Sequence, residues 1–269
     1  MPNDSSRPYV IHSEAECDRL ERQAALAGLA DHLRHLRVPS GARILDAGCG
    51  SGSMARLLAA RHPDAEVVGA DLRADYVADA RERAKREALK NVSFETADIL
   101  RLPFPDGSFD LVWSKHLLQW LKRPQEAIAE MRRVTRPGGR VVCCNFDGFQ
   151  LTTWPEDAEL QPLIHRVLTA LVDPLIGRKL APMFIQAGLT GVEVAVEADR
   201  ASTIIGAIDP ERRENLLAQV TAARPFADRL LGGAAGSAAF IDALLQYHER
   251  PDTCSYSLLY FVSGVASVG

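Results

Sequence analysis

A carboxylate and three glycines at alternate positions, Asp46-Ala47-Gly48-Cys49-Gly50-Ser51-Gly52, are the residues best spaced for binding chemistry. Glycines here allow positive φ and let a ligand approach the backbone closely. A turn of this kind opening a helix also aims free N–H groups at whatever lies above it. The spacing is not the dinucleotide-binding G-x-G-x-x-G: the third glycine comes one residue early and Ser53 takes its usual place. Asp71 follows about twenty residues on, where ribose hydroxyls lie in open α/β sheets. Its carboxylate could accept two hydroxyl donors, or cap the helix that follows. His116 is the candidate general base, since imidazole titrates near neutrality. The bland alternative is a packing or capping histidine one turn into a helix.

These groups need elements to hold them. Ile44-Leu45 reads as a buried strand end, and Met54 to Ala60 as a helix with Ala55, Leu57, Leu58 and Ala59 on its packed side. The rhythm then continues as parallel α/β units. Strands are expected at Glu66–Ala70, Val92–Glu95, Phe109–Trp113 and Arg140–Asn145, with helices at Ala74–Leu89 and from Pro124 to about Val134. A helix at Arg178–Ala187, ended by Gly188, leads to an alternating strand at Val192–Val196, and Tyr256–Val262 is the last strand. Ser13 and Glu16 form a capping box for a first helix running to about Leu36. Residues 149–176 read as an inserted helical piece. A second insertion has Asp209 as a cap, Pro210 as the first helical residue and a helix from Ser237 to about His248. Gly232–Ala239 is rich in small residues and reads as mobile.

The expected fold is α/β, a doubly wound, seven-stranded, mostly parallel sheet with helical caps. The expected division is a cap at 1–40, a core at 41–148, a cap at 149–176, core again at 177–200, a cap at 201–252 and the last core strand at 253–269. At 269 residues and 47% hydrophobic content the chain can bury such a core. A net charge of −4 argues against a surface that tracks nucleic-acid phosphates. No apolar run reaches the roughly 20 residues that span a bilayer. The opening residues lack a signal-peptide profile, and the five cysteines show no C-x-x-C spacing. The expectation is a cytoplasmic protein with reduced thiols. Cys143 and Cys144, adjacent on a strand, should point to opposite faces. His32 and His35 share a helix face without a third ligand, so no metal is expected.

D-x-G-x-G-x-G closely resembles the cofactor loop of class I S-adenosylmethionine-dependent methyltransferases. The resemblance extends over roughly residues 9 to 198. It is carried further by Leu102-Pro103-Phe104-Pro105-Asp106-Gly107-Ser108-Phe109-Asp110, Arg136-Pro137-Gly138-Gly139-Arg140 and Ile176-Gly177-Arg178-Lys179-Leu180. It points to the small-molecule branch of that family and to specialised metabolism. It implies S-adenosylmethionine as cofactor, held by Asp46, Gly48, Gly50, Gly52, Asp71 with Leu72, Asp98 with Ile99, and Ser114. Asp46 would orient the loop and reach the methionine end, and Asp98 would accept from the adenine amino group. The stretch Ser114-Lys115-His116-Leu117-Leu118-Gln119-Trp120 would floor the active site. It lacks the N-P-P-[YF] loop of enzymes that methylate nucleobases and amides. Tyr9, His12, Lys115, Asn145, Asp147, Trp154 and His165 are the candidate substrate contacts.

The implied reaction is methyl transfer to an oxygen, nitrogen or carbon of a small molecule. The alternative is a related protein that binds the cofactor structurally while catalysing a cyclisation or acting as a sensor. The expected partner is a small-molecule substrate, without nucleic acid or membrane; a homodimer stays open beside the monomer.

Overall fold

Alternate residues of the core strands are apolar on both faces, which only a sheet covered by helices on each side can accommodate. The computed structural model, which describes residues 16–267, has that arrangement. In β1 (Arg43–Ala47) Ile44 faces one apolar cluster and Leu45 the other. The same division separates Trp113 from Val112 in β4 (Phe109–Lys115), and Cys144 from Cys143 in β5 (Thr135–Trp154). Helices α2 (Ser53–Arg61) and α3 (Ala74–Arg86) pack on the Trp113 side. Helices α4 (Pro124–Val134) and α6 (Leu180–Gln186) pack on the Val112 side.

With β2 (Glu66–Asp71), β3 (Val92–Thr96), β6 (Leu189–Ala198) and β8 (Cys254–Ala266), the strand order is β3-β2-β1-β4-β5-β8-β6. The first five are mutually parallel, while β8 runs antiparallel to both β5 and β6. A two-residue strand, β7 (Ile204–Ile205), also pairs with β8 and makes the sheet eight-stranded rather than seven-stranded. The carboxyl ends of β1, β2 and β4 therefore lie side by side, where the sheet binds ligands in such folds.

The chain departs from the sequence-based expectation at four places. The first helix begins outside the described residues, and α1 (Glu16–Leu26) does not continue to Leu36. Gly28, at φ +64°, turns the backbone left-handed, and a 3₁₀ segment follows from Leu29 to His35. The insertion expected from residue 149 starts as sheet. Leu151-Thr152-Thr153-Trp154 is a run of strand formers, and the ladder to β8 resumes at Thr152↔Tyr256 after a register shift. Helix α5 (Leu160–Leu171) starts only afterwards. Third, His116 is not in a helix; it ends β4 in the left-handed region at φ +54°. Fourth, the small-residue stretch is ordered as the start of α8 (Ala234–Glu249), with the Gly233 amide donating to the Asp228 carbonyl at 2.7 Å.

Helices α5, α7 (Pro210–Leu230) and α8 build a third apolar cluster of their own, including Leu160, Ile164, Leu216, Phe240 and Leu244. Its entry is set by Asp209, whose Oδ1 accepts from the Arg212 amide at 2.9 Å, with Pro210 at the first helical position. Asp209→Ala is expected to lower stability by about 1 kcal/mol, read from chemical denaturation. An unchanged midpoint would remove the cap from the account of α7.

Candidate active site

Between the carboxyl edge of the sheet and the α5–α7–α8 cluster lies a cavity of about 320 Å³. The glycine turn forms one end. The amides of Gly48 and Cys49 both donate to the Ala70 carbonyl, at 2.7 and 3.0 Å, which folds β1 back beside the end of β2. Gly48 (φ +77°) and Gly50 (φ +54°) line the cavity. A Cβ on Gly48 would come within 2.8 Å of Leu117, and one on Gly50 within 3.3 Å of Leu20. Side chains at these positions would fill the cradle. Gly52 has a different task and does not line the cavity: a Cβ there would meet the Phe94 ring at 2.6 Å, so it lets α2 close onto β3.

Asp71, at the end of β2, accepts from the Gly50 amide through Oδ2 at 2.9 Å and from the Arg73 amide through Oδ1 at 3.0 Å. Each oxygen keeps a lone pair for a further donor. Burial raises the pKa of this carboxyl. Asp98 lines the same wall, its Oδ1 taking the Leu100 amide at 2.9 Å, with Leu72 and Ile99 beside it. The fit to an adenosyl group rests on this chemistry: a glycine cradle that a Cβ would fill, a carboxylate with free lone pairs for a diol, and a second acid for an amino group.

His116 and Lys115 line the floor. The His116 amide donates to the Cys144 carbonyl at 2.9 Å, and its ring lies 5.4 Å from that of Phe146. Its Nδ1 is buried without a partner, and burial, then Lys115, pushes its pKa well below 6.5. A positive φ on a non-glycine residue is strain held by its surroundings, here beside the cavity.

Other candidates lie elsewhere. Asp46 is buried beneath α2 and does not line the cavity. Its Oδ2 lacks a partner, and burial, opposed by the Ala55 amide and reinforced by Asp71, pushes its pKa up to about 7. Ser114 is fully buried and donates to the Ala47 carbonyl at 2.8 Å, tying β4 to β1. Asp147 accepts from the Arg178 amide at 2.8 Å and pairs with its guanidinium. Trp154 is 69% exposed, and His165 is exposed on α5. Asn145 reaches the cavity only through its partner Gln119. Tyr9 and His12 lie outside the described residues. His32 and His35 flank Phe261, with ring centroids 5.1 and 3.9 Å from it. No cluster of three or more metal-ligating side chains occurs among the described residues.

Two features escaped the sequence reading. Helix α2 has neither a capping side chain nor an acid in its first turn. Glu21 of α1 supplies it: one oxygen accepts from Ser51 Oγ at 2.7 Å, Ser53 Oγ at 2.8 Å and the Arg56 guanidinium at 2.6 Å. The missing local cap was the available signal. Leu20 and Gln23 of α1 thereby line the cavity. Gln119, within the stretch expected to floor the site, and Gln150 also line it; nothing in the sequence around Gln150 marked it.

A methyltransferase-domain family model matches residues 45–143, the stretch from β1 into β5. A demethylmenaquinone methyltransferase of Geobacillus kaustophilus is 32% identical over 181 residues, covering 61% of this chain and 77% of that one. The chain belongs to the class I S-adenosylmethionine-dependent methyltransferase family. The chain spans about half the length of other curated relatives that it matches. A solved [4+2]-cyclase, SpnF, superposes with a TM-score of 0.62 at 25% identity, covering 92% of this methyltransferase chain and 82% of the cyclase. A phosphoethanolamine N-methyltransferase 2 of Haemonchus contortus, solved with S-adenosylmethionine, shares the fold at 19% identity and a TM-score of 0.61, covering 97% of this chain and 60% of that one. No helix among the described residues is long and apolar enough to cross a membrane.

Two outcomes are expected of the methyltransferase. Gly50→Val should abolish S-adenosylhomocysteine binding in calorimetry, and Asp71→Ala should weaken it about a hundredfold, the loss of two charge-assisted hydrogen bonds. Affinities within twofold of wild type would return Asp71 to a capping role. Asp46 adds a pH signature. A carboxyl whose folded pKa is raised binds more protons folded than unfolded, so stability falls as pH rises from about 4 to about 7. Asp46→Asn should flatten that slope in denaturation curves; an identical slope would mean that Asp46 does not titrate there.

Proposed function

We propose that the chain transfers a methyl group from S-adenosylmethionine to a largely apolar small molecule held under α5, α7 and α8. The observation that carries this is the continuity of one cavity. It runs from Gly48, Asp71 and Asp98 at the sheet edge to Leu168, Val220 and Phe240 in the helical roof. The bound donor supplies an electrophilic methyl group on a sulfonium centre.

The chain's residues position, exclude water and hold a proton. Gly48 and Gly50 give the donor room, and Asp71 and Asp98 orient its sugar and base. The apolar roof keeps water from the floor. His116, which lines the floor and is neutral because burial opposes its charging, would take a proton from the acceptor. Positioning is worth about 7–11 kcal/mol and a base about 3–5 kcal/mol, so positioning carries most of the rate. His116→Ala should therefore lower kcat by 10²–10⁴ at most, with cofactor affinity unchanged. Full retained activity would leave positioning as the whole mechanism. The free thiols, Cys143 and Cys144 buried among them, support a reducing cytoplasm as the setting.

The helical roof reads as a cover that opens for the acceptor and closes over it. Hydrogen exchange should slow in α5, α7 and α8 when cofactor and acceptor are both bound. Protection confined to the Gly48–Asp98 wall would make the roof a fixed part of the scaffold.

The similarity to the [4+2]-cyclase supports a second reading, in which the same cavity shapes an apolar substrate for cyclisation while the cofactor is structural. Incubation with methyl-labelled cofactor and a panel of apolar metabolites separates the two. Label in an acceptor supports transfer; a product isomeric with its substrate and free of label supports cyclisation.

A further inference from the structure

Four glutamines line the cavity, and of these Gln23 and Gln219 are half-buried while Gln119 and Gln150 are the two enclosed among its apolar residues. Both are buried, at 2% and 6% exposure, and each is gripped from behind. Asn145 Nδ2 donates to Gln119 Oε1. The reverse setting of this pair would strand the two N–H groups of Asn145, a worse orphan than the single Asn145 Oδ1 that now lacks a partner. The Gln119 carbonyl also accepts from the Asp173 amide at 2.9 Å, fixing the residue between β5 and the segment after α5.

Gln150 Oε1 lies 3.2 Å from His248 Nε2. His248 Nδ1 is buried without a partner, and burial lowers the ring's pKa to about 4. The neutral ring keeps its proton on Nε2, where an acceptor waits, and donates it to Gln150. The backbone of Gln150 is held at φ +56° inside the register shift of β5. A strained backbone beside a cavity marks a residue whose direction matters. In both glutamines the oxygen is committed behind, so the Nε2 amino group is the end left for a ligand.

The charged groups of the wall are otherwise engaged. Arg19 pairs with Glu16 at 2.6 Å, Arg73 with Asp75 at 2.9 Å, and Asp199 accepts from Ser202 Oγ at 2.7 Å. Lys115 belongs to the floor beside His116.

We propose that Gln119 and Gln150 are specificity-determining donors, and that the acceptor is a neutral, apolar molecule bearing at least two carbonyl, ether or hydroxyl oxygens. This rests on the methyltransferase reading of the cavity, and deepens it by naming what the two glutamines beneath the roof recognise. A buried donor left without an acceptor is penalised, so a pure hydrocarbon would leave two such donors unmet.

The test uses the full chain saturated with S-adenosylhomocysteine, and three probes: benzil, the isoskeletal hydrocarbon 1,2-diphenylethane, and the anion diphenylacetate. Dissociation constants are measured by calorimetry for wild type, Gln119→Met, Gln150→Met and the double variant. Methionine keeps the side-chain length and removes the donor. The ratio of benzil to hydrocarbon affinity should fall about threefold to tenfold for each substitution, while 1,2-diphenylethane binding and S-adenosylhomocysteine binding hold. His248→Phe, which frees Gln150 without entering the cavity, should lower the same ratio. An unchanged ratio in the double variant overturns the proposal. So does tighter binding of diphenylacetate than benzil to wild type, which would give recognition to Lys115. Failure of S-adenosylhomocysteine to bind wild type would instead overturn the cofactor reading itself.

Discussion

The hydrogen bond from the Gly50 amide to the Asp71 carboxylate, at 2.9 Å, is the contact on which the site depends. It joins the turn after β1 to the end of β2, and both halves are needed to form one wall of the cavity. The bond requires Gly50 at positive φ and Asp71 at the strand end. It also leaves a carboxylate in a buried place with lone pairs to spare, an arrangement whose cost is offset only by donors. A diol is a natural supplier. Asp46, one strand position from the turn, has a different environment: buried, not lining the cavity, and pushed towards neutrality.

Around that contact the molecule is arranged as two layers of control. The sheet with its covering helices fixes the floor, because alternate residues of the central strands β1, β2, β4 and β5 are committed to one of two apolar clusters. The roof is a third cluster with its own apolar core. It is attached through the bulged end of β5, through β7, and through Gln119's bond to the chain after α5. Helix α1 closes the side by lending Glu21 to the uncapped start of α2. The roof meets the floor mainly through irregular backbone, which is the usual place for motion in a protein.

Much of the floor was legible in the sequence, since strand, glycine turn and helix each leave a local pattern. The split of Cys143 and Cys144 between faces followed from the two-residue period alone, and the Asp209–Pro210 start of α7 from capping chemistry. What was not legible depends on contacts distant in sequence. Neither Glu21 reaching Ser51, nor Asn145 turning away from the cavity to hold Gln119, leaves a local signature. His116 resembled a helical residue because its neighbours are apolar, yet its backbone ends a strand. The register shift that turns Gln150 inward is set by pairing with β8, more than a hundred residues later. Of the residues chosen for their chemistry on an expected cap, Trp154 lies outside the cavity because a strand continues where a helix was expected, and His165 because it falls on the exposed side of α5.

The most direct measurement is a crystal structure with S-adenosylhomocysteine bound. The account predicts the adenosyl group between Gly50, Asp71 and Asp98, its hydroxyls on the Asp71 carboxylate, and its sulfur facing His116 and the apolar roof. Density for the ligand beneath α8, or on the outer surface with Asp71 bonded only to its backbone donors, would contradict it.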